Sequence, residues 1–548
     1  MLSAEESEST TLEQSQVTRG PAQPTRTPEF HEYRAPREHG EALISPSLSQ
    51  ASALIRDNQA LLRTHAIFDS LRSRARGQLI DDAIRYTSSY RDVSWLDRGA
   101  AVDRPILMAG HQPAIFHAGV WFKNFALSHL AGATGSTAVN LVIDNDVASG
   151  STVRVPTLDP ETRLAAYRLI PYDRAGGGVP YEQTTIDDRE VFDRFDSEVR
   201  EAVATLVRQP CVTQLWKHAR TAIERCGVAG CALAQARHGL EGELGLRTLE
   251  LPLGVVCRNA AFAEFVLMIL GELPRFRRCY NDAAQGYRKA HHIRSSAHPV
   301  PDLAEDGDWF EAPLWIYGND SPARKAAWAR MSDDEIVISD RGTRELRIDV
   351  RYPRLAAEKL TSLLGPNLKL RPRALLTTMY SRLVLSDLFL HGIGGGKYDQ
   401  LGDMITRSFF MIEPPRFMVV SATVKLPGLP ADNSAEELRG LQRAIRDTEY
   451  QPERFADRFE LDSGAMRRKQ ELLAAVPERG NRAQWHQELE RVNQELSRPL
   501  QPFRDQLRDQ LTAARRRAAS NSLLSSREHP FCVFPLNYLV ETYGPLLR

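Results

Sequence analysis

Gly110-His111-Gln112, with His117 six residues past His111, and Asp144-Asn145-Asp146 are the residues of this sequence best suited to small-molecule chemistry. A glycine after a short apolar run lets the chain turn tightly, and the free amides of a helix that follows can hold an anion. Gln112 both donates and accepts, while His111 and His117 carry imidazoles that titrate near neutral pH. A small carboxylate or phosphate suits such a cluster. The same residues also fit a plain turn, in which Gly110 reverses the chain, Gln112 caps the helix and His117 packs. Asp144, Asn145 and Asp146 could bind ribose hydroxyls, a substrate amine or a hydrated magnesium ion, and turns select these residue types as well. The spacing of His111 and His117 matches neither a one-face helical pair nor a zinc motif, so no metal site is expected.

A third cluster runs from His391 through Gly392, Gly394, Gly395 and Gly396 to Lys397, Tyr398 and Asp399. No Ser or Thr follows the lysine, so this is not a Walker sequence. It reads either as a backbone nest for an anion, with Lys397 as a point charge, or as a hinge. A fourth group, Tyr287, Arg288, His291 and Arg294, gathers cations at the end of a long helical pattern. The helix dipole favours cations there, and a second anion site is the sharper alternative. No Ser-His-Asp order, reactive-cysteine setting or closely spaced carboxylate pair stands out.

The elements that must position these groups follow from hydrophobic periodicity. Residues 106–109 and 139–143 are short apolar runs flanking a helical pattern over 120–131, which makes a βαβ unit with parallel strands. Ligands of open α/β sheets bind outside the carboxyl ends of the strands, so the Gly110 and Asp144 clusters should face one crevice. Further helices are expected before 106 and over 189–207, 212–244 and 259–293. Strands are expected near 249–257, 312–317, 335–338 and 345–350, and a helix over 400–410. After 427 the composition turns to Glu, Arg and Gln. Trp485, Leu489, Val492 and Leu496 repeat at four, three and four, a heptad seam that predicts an antiparallel helical arm suited to dimerisation.

The 548 residues exceed one compact core. The expected division is a disordered tail over 1–40, a core over 41–426 with a connecting region near 270–350, the arm over 427–525, and a segment over 526–548 returning to the core. Seventy Lys and Arg balance seventy Asp and Glu, so no global field favours nucleic acid or an anionic membrane. Six cysteines without CxxC spacing suggest reduced thiols. The start of the chain has no signal-peptide pattern, and no apolar run approaches the ~20 residues that span a bilayer. A cytoplasmic protein with no nucleic-acid or membrane partner is expected.

The segment Gly110-His111-Gln112-Pro113-Ala114-Ile115-Phe116-His117-Ala118-Gly119 resembles the Gly-Gln-Gln-x-x-x-Phe-x-Gly-Pro segment of the bacillithiol-biosynthesis cysteine-adding enzymes. Three further stretches resemble that family in the same order: Asn140 to Asp146, the glycine-rich Leu390 to Tyr398, and Phe531 to Pro545. The resemblance implies a Rossmann-like core, a connecting helical region, a coiled-coil dimerisation arm, and a ligase joining the carboxyl group of cysteine to an amino-sugar amine. It departs at His111, where the family has glutamine, at Asp144 to Val147, where Glu-Asp-His-Asp is expected, and at Lys397, where an acid is usual. These departures leave the family reaction and a divergent relative acting on another acid or amine equally open. His111 or His117 would then act as general base, Gly110, Lys397 and the neighbouring amides would hold a carboxylate, and Asp144 or Asp146 would orient the amine. A nucleotide cofactor is left open, although the sequence has no His-x-Gly-His motif or P-loop. The alternative is a non-catalytic ligand-binding or scaffolding dimer.

Overall fold

Six short runs build the central sheet: β1 (Glu41–Ser45), β2 (Ile106–His111), β3 (Thr137–Val142), β4 (Leu249–Pro252), β5 (Leu388–His391) and β6 (Met418–Thr423). The computed structural model describes residues 30–174, 176–429, 433–477 and 480–548. The strands lie in the order β1-β6-β5-β2-β3-β4, all parallel except β1, which pairs antiparallel with β6 along the edge. Successive residues serve opposite faces. Ile106, Met108, Val139, Leu141 and Phe389 enter one core, and Leu107, Ala109, Ala138, Leu388 and Leu390 enter the other. Both faces are therefore covered, which is why the strands read as continuous apolar runs rather than alternating ones.

Helix α1 (Ala118–Thr134) joins β2 to β3, completing the βαβ unit. Its approach to β6 depends on Gly119, where a Cβ would stand 2.1 Å from the Ala422 carbonyl oxygen. The opposite face is covered in part by the helices Asp69–Ser88, Ala260–Leu270 and α2 (Leu273–Ala290).

The connecting helical region that the resemblance implies is, after α2, a sheet, with strands in the antiparallel order Glu345–Asp349, Glu335–Ser339, Ser321–Met331, Trp309–Gly318 and Lys369–Pro372. Three of these lie where strands are expected, near 312–317, 335–338 and 345–350, while Ser321–Met331 and Lys369–Pro372 are not anticipated. Ser321–Met331 carries four alanines and no β-branched residue, so its local preference is not that of a strand. Pairing with a neighbour on each side decides its conformation. The apolar stretch 375–390 also divides: α3 (Ala374–Tyr380) runs into a widened π-turn at Ser381–Leu385, and β5 follows.

The glycine-rich stretch is not a loop. Gly392 caps α4 (Ile393–Ile405), and Gly394, Gly395 and Gly396 form its first turn. Beyond β6 lies a helical arm of α5 (Ser434–Tyr450), α6 (Ser463–Ala474), α7 (Arg482–Ser497) and α8 (Gln501–Leu524). Ala465, Val492 and Leu496 form a small apolar cluster of their own there. The chain then packs on α1: the Phe531 ring lies 4.4 Å from that of Trp121, and in α9 (Leu536–Leu546) the Tyr543 hydroxyl donates to the Ala118 carbonyl at 2.6 Å. Of the N-terminal tail expected to be disordered, residues 1–29 lie outside the described residues. Residues 30–40 are tied down, with His31 N donating to Gln400 Oε1 at 2.6 Å and Thr423 Oγ1 to the Pro36 carbonyl at 2.6 Å. No helix among the described residues is long and apolar enough to cross a membrane.

Candidate functional site

β2, β3 and β5 all end at a cavity of about 930 Å³, outside the carboxyl edge of the sheet and closed from the other side by Trp315 of the second sheet. Its lining brings together Gly110, His111, Gln112, His117, Asn145, Asp146, Gly394, Gly395, Lys397 and Tyr398. Gln112 Nε2 donates to Asp146 Oδ2 at 2.9 Å, and Arg324 Nη1 lies 3.3 Å from Asp146 Oδ1, so the β2 and β3 ends are locked to each other and to the second sheet. Asn145 Nδ2 donates to the Pro372 carbonyl at 2.8 Å. Trp315 is held between two cations, Arg324 at 4.8 Å and Arg373 at 4.2 Å from the ring centre.

Two histidines sit differently from expectation. The His111 ring is buried edge-on to Phe116, with Nδ1 3.2 Å from the Gln112 carbonyl. Burial, with Lys123 close by, pushes it down to about 3, which leaves an imidazole too weakly basic to serve as general base at neutral pH. His117, the residue before α1, is also lowered by burial, opposed by Glu528, whose Oε2 lies 3.7 Å from Nε2.

The histidine best placed for proton transfer is His391, the last residue of β5, on the cavity wall. Its Nε2 lies 2.8 Å from Asp399 Oδ2, an oxygen that also accepts from Arg382 Nη1 at 2.6 Å. Burial alone would raise Asp399, but Arg382 and His391 outweigh it and hold the carboxyl well below the usual carboxylate range. An ionised carboxylate only accepts, so Nε2 carries the proton and Nδ1 is the nitrogen left to accept one; burial lowers this imidazole too, and Asp399 opposes that shift. A Cβ on Gly395 would stand 2.8 Å from Nδ1, and one on Gly396 would stand 2.4 Å from Val419 Cγ2. The glycines thus let α4 start hard against β5 and β6.

Lys123 projects from α1 toward the same cavity and is 1 % exposed, its Nζ donating to the Gly110 carbonyl at 2.6 Å. Burial, reinforced by Arg237, lowers it to about 7. Six basic side chains line the cavity (Arg34, Lys123, Arg324, Arg373, Lys397 and Arg527) against two acids, Asp146 and Glu528.

Three expected site residues fall elsewhere. Asp144 turns away into a second cavity of about 530 Å³, where its Oδ1 accepts from Gly254 N at 2.9 Å. Burial and the neighbouring Glu182 raise it to about 7, so it cannot orient an amine in the first cavity. Asp399 is buried beneath His391, and Gly396 is buried at the α4–β6 contact. The expected second anion site does not assemble. Arg288 is consumed by the 296–302 turn, donating to Asp302 Oδ1 at 2.7 Å and to the carbonyls of Ser296, His298 and Val300. Tyr287 is buried, with His291 4.2 Å from its ring centre, and Arg294 is exposed.

Lys123, Arg324, Arg373 and Trp315 are among the lining residues that sequence reasoning did not single out, and His391 entered it only as the start of the glycine-rich cluster, with no role of its own. Two signals pointed to them: His391 follows a buried apolar run just as His111 does, and Lys123 is the single charge in the apolar helix pattern. Among the described residues no three His, Cys, Asp or Glu side chains gather as a metal cage. No protein-family model matches the chain, and a search of the curated proteins finds no match either.

Proposed function

We propose that this chain is a ligase-like enzyme that joins a small carboxylic acid to the amine of an amino sugar or related metabolite, as a divergent relative of the cysteine-adding enzymes. The observation that carries this reading is the His391–Asp399 pair facing a cavity rich in cations. Nδ1 of His391 takes a proton from the incoming ammonium, and the ionised Asp399 stabilises the imidazolium that forms. Lys123, Lys397 and the first-turn amides of α4 hold the carboxylate of the acid. Asn145 and Asp146, fixed by Pro372 and Gln112, receive the amine. The amine nitrogen then bonds to the carboxyl carbon, and one carboxyl oxygen leaves as water with the two protons that the ammonium gives up, the first of them passed on by His391; holding both partners in one cavity supplies the proximity that the step needs.

The parallel sheet with its cavity at the carboxyl edge supports a Rossmann-like core. Tyr450, Leu473 and Val476 are exposed apolar residues of the arm and its turns, which supports an arm that pairs with a second copy as a coiled coil. Six unpaired cysteines fit a cytoplasmic setting.

Thermal-shift binding against carboxylic acids, amino sugars and nucleotides tests the site. An acid at a hundredfold excess over its Kd should add about 2.7 kcal/mol of stability, and Lys123→Met and Lys397→Ala should each reduce that shift. Shifts from nucleotides alone would contradict the reading. Binding of acids without any amide product would favour the ligand-binding dimer.

A further inference from the structure

Cys226 ends the helix Val212–Cys226, and Cys231 lies in the first turn of the helix Ala229–Glu243. Four residues separate them, with Gly227 in the left-handed conformation (φ 65°) that folds the second helix back on the first. Gly230 allows the turn to sit on Tyr181, whose carbonyl oxygen would lie 2.7 Å from a Cβ there. The result is a fixed pair of thiols on the wall of the second cavity, about 530 Å³ in volume, each partly exposed.

The two thiols are close enough to perturb each other's ionisation, and Cys226 Sγ lies 3.0 Å from the Ala222 carbonyl oxygen. Cys231 also receives a hydrogen bond from Gln235 Nε2 at 3.3 Å and lies 3.6 Å from the Tyr86 hydroxyl. The neighbouring Cys231 holds the Cys226 thiol down at about 7, although burial opposes it, and Cys226 in turn pushes Cys231 up. A thiolate with a neighbouring thiol is the arrangement of a nucleophilic cysteine and its resolving partner.

We infer that Cys226 and Cys231 form a redox-reactive dithiol that a hydroperoxide entering the second cavity converts to an intramolecular disulfide. The Cys226 thiolate attacks the peroxide oxygen, giving a sulfenic acid and releasing the alcohol or water. The Cys231 sulfur then attacks the sulfenic sulfur, forming the S–S bond and expelling water. Two thiols are oxidised and one peroxide is reduced. Cys211, Cys257 and Cys532 are buried and so shielded, while Cys279 is partly exposed without a partner thiol and serves as the internal control.

Trypsin cleaves after Arg225 and Arg237, so both cysteines stay in one peptide. The full-length protein is treated with hydrogen peroxide, alkylated and digested. The 226–237 peptide is expected two hydrogens lighter and unalkylated, restored by dithiothreitol, while Cys279 stays alkylated. Folded Cys231→Ser, checked by circular dichroism, should trap Cys226 as a dimedone adduct. A 226–237 peptide that keeps both thiols at a dose that oxidises Cys279, or a folded Cys231→Ser that yields no adduct, would overturn the inference.

Discussion

Lys123 and Asp144 are buried to similar effect and with opposite sign. Lys123 binds its proton less tightly in the fold, near 7 against an ordinary 10.5. Between those values the unfolded chain holds the extra proton, so this group makes stability rise with pH from about 7 upward. Asp144 is raised from 3.8 to about 7, so the folded chain holds the extra proton and stability falls across that window as pH rises. Asp144→Asn keeps an acceptor for Gly254 N and removes the charge. Urea titrations should find its stability relative to wild type improving by about 2–4 kcal/mol from pH 4 to pH 8, and a flat difference would show that Asp144 does not titrate there. Lys123→Met should gain most on wild type at pH 6 and progressively less toward pH 10. Residues at strand ends were legible because a buried run that stops at glycine, histidine or asparagine marks a carboxyl edge. The roles were not. Burial lowers both His111 and His391, and what sets them apart is Asp399, which opposes the shift at His391 and which the fold alone brings beside it.

At the scale of elements, three consecutive glycines in α4 should answer very differently to alanine. A Cβ at Gly394 meets nothing within 4 Å, so Gly394→Ala should stabilise by about 0.5–1 kcal/mol through helix propensity. Gly396→Ala drives a methyl into Val419 and should cost about 1–3 kcal/mol. Gly395→Ala presses on His391 Nδ1 and should lower product formation far more than stability. Equal melting temperatures for the Gly394 and Gly396 variants would contradict this packing. The same glycines explain why the stretch reads as a loop in sequence, since their weak helix propensity conceals a helix start held by β5 and β6. The βαβ unit was legible because both of its strands are short, buried and bounded by turn residues. Ser321–Met331 was hidden by its alanines, and the division of 375–390 into helix, π-turn and strand leaves no periodic trace.

The whole molecule gathers its site from distant parts of the chain: residues 30–40, the strand ends of the parallel sheet, Trp315 of the second sheet, and Arg527 and Glu528 after the arm. Such assembly cannot be read from local pattern, although the sequence order of the polar clusters anticipated one crevice. The arm is the part most independent of that assembly. If it pairs two copies, Leu473→Glu with Val476→Glu should shift the protein from dimer to monomer in analytical ultracentrifugation while acid binding persists, and an unchanged mass would place the contact elsewhere. In the proposed reaction the amide forms at the cavity with His391 as base. The most direct test is mass-spectrometric detection of amide product from acid and amino-sugar pairs, with wild type, Gly440→Ala in the arm and His391→Ala compared at equal folded concentration. Product is expected from the first two, with a loss of at least about a hundredfold in the third. Product formed as fast by His391→Ala as by wild type would contradict it.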